Sequence, residues 1–353
     1  MCFECFKTFF MKKIFTRLLL LLAGVVSFLW GNTQDLTFSQ FYEQPLQRNP
    51  ALAGVFTGDV RVSSAYRNQW ASVTTPFRTT ALSIEYKIPV NDYDDVTFGS
   101  QMMVDDAGDI SLKRTQILPA INFHKSLGGY NNSYLSAAFM GGPVKSAFNA
   151  AALSFGDQFQ GGEYNATNAT AQIIKSAGYS YWDMTAGLCY SAAVGQEGHF
   201  YVAASMSHFA KPKIKSVISD DASFIQPKYS FNVGINAPVS YTNRIIAFAD
   251  YFTQNGNRQI LGGLMYGFDV TEYYTDEEPV TFYIGSFVRW NDAIIPVVKL
   301  DFQHMSVGVS YDVNYSKLKA VSNSRGGVEI TASYKGFLKV RNSTLDQVKC
   351  VKF

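Results

Sequence analysis

Charge is scarce in this 353-residue chain: Asp, Glu, Lys and Arg make up 16%, against roughly 25% in ordinary soluble domains. The formal net charge of +2 resides in the first 31 residues, where Lys7, Lys12, Lys13 and Arg17 face only Glu4. The remainder is near neutral, which removes the electrostatic case for nucleic acid as a partner. Cysteine is equally sparse. Cys2, Cys5, Cys189 and Cys350 show no zinc-type spacing, so neither a metal cluster nor a disulfide framework organises the chain, and a Cys189–Cys350 bridge has no geometric support in the sequence. The four histidines, His124, His199, His208 and His304, form no HExxH or other ligand spacing, and no GxSxG elbow or Walker loop is present. A barrel lipid hydrolase would need a Ser/His pair with an orienting third group, and no such set is legible. The expectation is a non-enzymatic chain without cofactor or metal. Also missing is any apolar run of the roughly 20 residues that a membrane-spanning helix requires.

The chain is instead rich in aromatics, at 15%, with 27 glycines. At the amino terminus, Met11-Lys-Lys-Ile-Phe-Thr-Arg17 is a basic head and Leu18–Leu29 an apolar run, the pattern of a secretory signal peptide. We place the start at Met11, with residues 1–10 an upstream extension, and cleavage near Gly31. An uncleaved anchor helix is disfavoured by the shortness of the run.

From Val60 onward, period-two alternation dominates, as in strands with one apolar and one polar face. In Met305–Val313, Met305, Val307, Val309, Tyr311 and Val313 alternate with Ser306, Gly308, Ser310 and Asp312. About fourteen such segments follow one another, starting near Val60, Phe77, Val96, Arg114, Tyr134, Trp182, Phe200, Lys228, Arg244, Ile260, Phe282, Ile294, Met305 and Val328. Many approach the 9–11 residues of a tilted transmembrane strand, and an even count suits a single-chain bacterial barrel. A soluble sandwich also alternates, but its polar face should carry many Lys and Glu. Here that face is mostly Ser, Thr, Asn and Gly, with occasional charges (Asp183, Lys228, Asp312, Glu329) suited to a lumen. The opposite face carries only apolar residues and ends in Trp182, Tyr190, Trp290 and Tyr334, like a lipid-facing band with aromatic girdles. The expected fold is an all-β transmembrane antiparallel barrel with an N-terminal strap or plug: signal region 1–31, strap 32–58, barrel 59–336, tail 337–353. Two long connections, Lys145 to Tyr181 and Lys211 to Gln226, read as surface loops or, for part of the first, a lumen plug.

Two acidic turns, Asp92/Asp94/Asp95 and Asp105/Asp106/Asp109, offer oxygen ligands of the kind calcium takes but lack the EF-hand pattern, so solvated turns are the simpler reading. The segment preceding the first strand is different. Phe38, Phe41 and Tyr42 interleave with Gln and Asn, Pro45 and Pro50 punctuate, and the pattern is neither helical nor strand-periodic. Those rings need burial, either inside the barrel or against a partner protein.

Phe38-Ser-Gln-Phe-Tyr42, Asn49-Pro-Ala-Leu-Ala-Gly54 and Tyr66-Arg-Asn-Gln-Trp70 resemble the opening of the PorP/SprF family of outer-membrane barrels associated with type IX secretion in Bacteroidetes. The resemblance continues through Leu153–Phe159, Tyr181–Leu188, Phe200–Pro212, Arg289–Pro296, Val307–Leu318 and the Gly-Gly-Val-Glu-Ile330 strand. Family members often end in Cys-Pro-Arg-Phe, whereas this chain ends Cys350-Val-Lys-Phe353. The resemblance implies an outer-membrane location and no catalysis. As partners it implies a secreted protein with a C-terminal sorting domain, of the gliding-adhesin kind, other type IX components and outer-membrane lipid. It singles out Phe38, Phe41, Tyr42, Asn49, Pro50, Gly54, Tyr66, Arg67, Trp70, Asp157 and Gln158 as positions for partner binding or strap packing. The rival expectation is a channel for small or hydrophobic solutes.

Overall fold

The computed structural model describes residues 35–71, 75–128, 132–165, 167–195, 198–215, 222–270, 280–316 and 324–338. The signal region 1–31, Met11, Cys350 and the tail beyond residue 338 lie outside the described residues.

Fourteen antiparallel strands close into one barrel. They are β1 Val60–Gln69, β2 Phe77–Pro89, β3 Asp95–Ala107, β4 Leu112–Gly128, β5 Ser133–Ala147, β6 Gly178–Val194 and β7 Gly198–Ser207. The second half comprises β8 Lys228–Pro238, β9 Asn243–Gln254, β10 Asn257–Asp269, β11 Thr281–Arg289, β12 Ala293–Phe302, β13 Met305–Asn314 and β14 Arg325–Gly336. Each strand pairs with its sequence neighbours, and the ring closes where Val60 faces Gly336 and Gln69 faces Gly327. No edge is left to expose unpaired backbone in hydrocarbon. Every segment picked out by alternation is a strand of this ring.

Burial runs opposite to that of a soluble protein. On β14, Val328, Ile330 and Tyr334 are 42%, 46% and 44% exposed, while Glu329, Thr331 and Ser333 are 1%, 2% and 4% exposed. β13 repeats this, with Val309 outside and Ser310 and Asp312 inside. Only hydrocarbon makes an apolar exterior of this extent favourable. Pro119 and Pro296 point outward, and ladder pairing is interrupted around them, because proline brings no N–H to the ladder.

The structure corrects one expectation about the faces and adds to another. The outward face is not wholly apolar, because Arg78, Lys113 and Lys145 stand on it at one rim. The inward face is mainly polar, as expected, but three apolar clusters also line the lumen, built around Phe41 and Tyr42, around Leu46 and Ala53, and around Ala51 and Leu52. The reason is the same in each: the pre-strand segment brings apolar side chains inside, and the wall supplies partners for them.

Val60 and Gly336 mark one end of the ring. At that end the β2–β3, β4–β5, β6–β7, β8–β9 and β12–β13 turns are short, and 270–280 is a longer connection. The opposite end carries the connections 148–177 and 208–227, each with a small hairpin, Phe159–Gln160 with Glu163–Tyr164 and Lys213–Lys215 with Ala222–Phe224. Most described residues of 148–177 are exposed, so this loop does not fill the lumen.

Candidate functional site

Residues 37–58 run inside the ring, from the long-loop end at Thr37 to the short-turn end at Gly58. The segment contains three short turns of helix, Phe41–Glu43, Pro45–Arg48 and Pro50–Leu52. None is long enough to leave a periodic signature. Pro45 and Pro50 each occupy the first turn of a helix, where a missing N–H costs nothing, and the Asn49 side chain caps the third by accepting the Ala51 N–H at 2.9 Å.

At the long-loop end the segment is held by charge. The Glu329 carboxylate accepts the Ser39 and Gln40 backbone N–H groups at 2.7 and 2.6 Å. Asp312 accepts the Ser39 hydroxyl at 2.5 Å, Arg67 at 2.8 Å and Arg289 at 3.1 Å, while Arg289 donates to the Ser39 oxygen at 2.7 Å and Arg67 to the Thr37 carbonyl. Two buried arginines therefore face two buried carboxylates, with backbone donors filling the remaining acceptor sites, the condition under which buried charge is tolerated.

In the middle, Arg48 makes a two-pronged ion pair with Asp250 on β9 at 2.7 and 2.6 Å. Its guanidinium lies 4.9 Å from the Phe41 ring centroid and 5.6 Å from that of Phe248, within cation–π range. Tyr42 stacks between Phe248 at 5.1 Å and Phe287 at 5.0 Å. Asn49 bonds Asn232 at 3.3 Å and packs where Gly187 leaves room: a Cβ there would collide with Asn49 Oδ1.

Toward the short-turn end, Asn122 donates to the Ala51 and Ala53 carbonyls at 2.9 and 2.8 Å. Glu85 accepts the Gly54 N–H at 2.9 Å and both prongs of Arg61 at 2.8 Å. Gly54 has φ +80°, and a Cβ there would run into Thr97 and His124, so glycine is required twice over. Lys87 caps the Phe56 carbonyl at 2.9 Å, and Lys299 pairs with Glu43 at 2.9 Å. Between segment and wall remains a small cavity of about 50 Å³ lined by residues including Tyr42, Arg48, Arg61, Tyr201, Met265 and Lys299.

The structure thus gathers Phe38, Phe41, Tyr42, Asn49, Pro50, Gly54 and Arg67 in the lumen, all buried. Tyr66 is elsewhere: one residue from Arg67 in a strand, it points outward at 40% exposure. Trp70 follows β1 with φ +63°, is half-buried, and donates its N–H to the Gly326 carbonyl at 3.2 Å. Asp157 and Gln158 sit in the 148–177 loop. Asp157 accepts the Ala171 N–H at 2.7 Å and the Thr170 hydroxyl at 2.9 Å, which hold its carboxyl below the ordinary range, and Gln158 bonds the Asn168 carbonyl at 3.2 Å. Both order their own loop.

Sequence reasoning missed Arg48, Arg61, Glu85, Asn122, Asp250 and Lys299. A signal was available on the strands: each of these except Arg48 occupies an inward position in a run otherwise rich in small polar residues.

The arrangement holds a peptide and offers little for chemistry. His124 meets Ser136 at 2.8 Å and Thr97 at 3.0 Å, a Ser–His contact, but all three are buried beneath Gly54, and the neighbouring Asn122 is spent on the segment's carbonyls. Asp94 is engaged by Lys125 at 2.7 Å, Asn91 at 3.0 Å and the Ser126 N–H at 3.0 Å, and Asp105 accepts from Thr79 at 2.6 Å. Among the described residues no group of three His, Cys, Asp or Glu side chains is arranged to hold a metal.

Among solved structures, the barrel is similar to the translocator domain of autotransporter NalP from Neisseria meningitidis, with 10% identity, 84% of this chain and 96% of that one covered, and a TM-score of 0.44. It is also similar to the toluene transporters TbuX of Ralstonia pickettii (9% identity, 86% and 96% covered, TM-score 0.46) and TodX of Pseudomonas putida (9%, 86% and 95%, 0.47). At these values the likeness is one of barrel shape. No curated protein matches the chain. The family described as type IX secretion system membrane protein PorP/SprF matches residues 31–334, nearly all of the barrel and the segment inside it. This outer-membrane barrel belongs to the PorP/SprF family.

Proposed function

We propose that the chain is a non-enzymatic anchor in the outer membrane that holds or helps deliver a secreted surface protein bearing a C-terminal sorting domain, together with other type IX components. The observation that carries this reading is the occupied lumen: Phe38, Gln40, Leu46, Asn49, Ala53 and Phe56 are each 0% exposed inside the ring. A barrel whose interior is bonded to its own chain at so many points is suited to presenting a rigid rim. At the long-loop rim, Phe159, Ile173 and Phe224 are 54%, 73% and 56% exposed, apolar surface of the sort protein partners cover. The test is recovery of the tagged barrel from mildly solubilised outer membrane, with and without the 148–177 loop. A secreted protein with a sorting domain should accompany the intact barrel and be lost with the loop. Repeated recovery of the intact barrel alone would contradict the reading.

A solute channel is the second reading, favoured by the cavity beside Tyr42 and Tyr201. It requires stepwise conductance from the purified, partner-free barrel.

A further inference from the structure

We propose that the outward face of β2–β5 at the long-loop rim binds the phosphate groups of a phosphorylated glycolipid in the outer leaflet, of the lipid A type. The orientation follows from the two rims. In single-chain outer-membrane barrels the short turns lie on the periplasmic side and the long loops outside, which puts the 148–177 and 208–227 connections at the cell surface.

On β2 the inward positions are Thr79, Ala81, Ser83, Glu85 and Lys87, so Arg78 points outward, and it is exposed. On β4 the inward series is Gln116 to His124, and on β5 it is Ser136 to Ser146, which sends Lys113 and Lys145 outward, again exposed. The ladder brings these positions together. Arg78 is opposite Asp106, Asp106 is opposite Lys113, and Lys145 is opposite Thr115, two residues along β4 from Lys113. Lys113 and Lys145 are therefore diagonal neighbours, roughly 7–8 Å apart at the backbone. Three cations and one carboxylate share the patch, and among the described residues no ion pair joins the cations to Asp106. Adjacent like charges on a sheet face repel, and an anion placed between them reverses the sign of that contribution.

The height of the patch matches a phosphate layer. Next below it on the outward face are Val104 and Ile117, 37% and 43% exposed, and beside it Trp182, 65% exposed, stands opposite Pro143, as an interfacial aromatic does. Long cationic side chains at this level lay their methylenes on the apolar band and raise their heads to the phosphates. Among the described residues the other rim lacks the feature. Its outward lysine, Lys125, is already paired with Asp94 at 2.7 Å.

The test uses the full-length barrel in detergent, titrated with diphosphorylated lipid A, with the same lipid dephosphorylated, and with inorganic phosphate, reading the thermal unfolding midpoint and lipid retention by native mass spectrometry. Diphosphorylated lipid should be retained and raise the midpoint, while the other two ligands leave it nearly unmoved. Apparent affinity should drop by at least about tenfold in the Arg78→Gln/Lys113→Gln/Lys145→Gln variant and stay unchanged in Lys125→Gln. Should the triple variant misfold, Lys113→Gln alone and the wild-type comparison of phosphorylated with dephosphorylated lipid still decide. An equal shift from dephosphorylated lipid, an equal shift from inorganic phosphate, or undiminished retention by the variants would each overturn the assignment.

Discussion

Arg48 of the lumen segment and Asp250 of β9 are 202 residues apart in sequence and 2.6 Å apart in the barrel, with side chains only 4% and 0% exposed. The pair fixes the segment across the middle of the lumen, and neither charge has water to fall back on. Asp250→Asn or Arg48→Met should lower stability by about 3–5 kcal/mol, the cost of leaving one buried charge uncompensated. The double variant should lose less than the two single losses summed. Urea unfolding in detergent, followed by the loss of the compact band on unheated gels, checks both statements.

Gly54 and Gly195 separate collision from backbone strain. Both have positive φ, +80° and +67°, but a Cβ at Gly54 meets Thr97 and His124 while one at Gly195 meets nothing within 4 Å. Gly54→Ala should open residues 37–58 to protease, and Gly195→Ala should leave the protection pattern intact. Limited proteolysis with mass mapping reads the difference.

Val309, 47% exposed near the middle of β13, tests the surroundings of the wall. If it faces hydrocarbon, Val309→Arg should cost about 2–4 kcal/mol. An exposed position in water would take the change at nearly no cost. Refolding yield into lipid vesicles and the urea midpoint report which applies.

Asp94, in the β2–β3 turn, is held at about 2 by the Lys125 ammonium, the Asn91 amide and the Ser126 N–H. Because the folded value is depressed below the ordinary 3.8, the carboxylate's contribution is complete above that ordinary value and fades as pH falls toward 2. The wild type should therefore be more stable than Asp94→Asn by a constant margin from neutral pH down to about pH 5, with the margin closing below pH 4. A margin that does not change with pH would assign it to packing.

The wall was legible because its physics is local. Alternation with a Ser/Thr/Asn face and an aromatic-ended apolar face specifies strand, side and surroundings together, and Met305–Val313 reads correctly from nine residues. The path of residues 37–58 was not legible, because its partners lie far along the chain. Ser39 finds Glu329 across 290 positions, and Asn49 finds Asn232 across 183, so no window of sequence contains both halves of a contact. Tyr66 and Arg67 show the limit of motif reading. They are adjacent in one resembling motif, yet the two-residue period of β1 sends the first to lipid and the second to Asp312. The outward cations were hidden for a related reason: Arg78, Lys113 and Lys145 are scattered in sequence and become one patch only through the register of four strands.

The barrel's interior is filled by its own amino-terminal segment. Planar-bilayer recording on the purified protein, with and without residues 37–56, tests it most directly. The wild type should be silent, and stepwise conductance should appear once the segment is removed. Conductance of the same size from both proteins would contradict it.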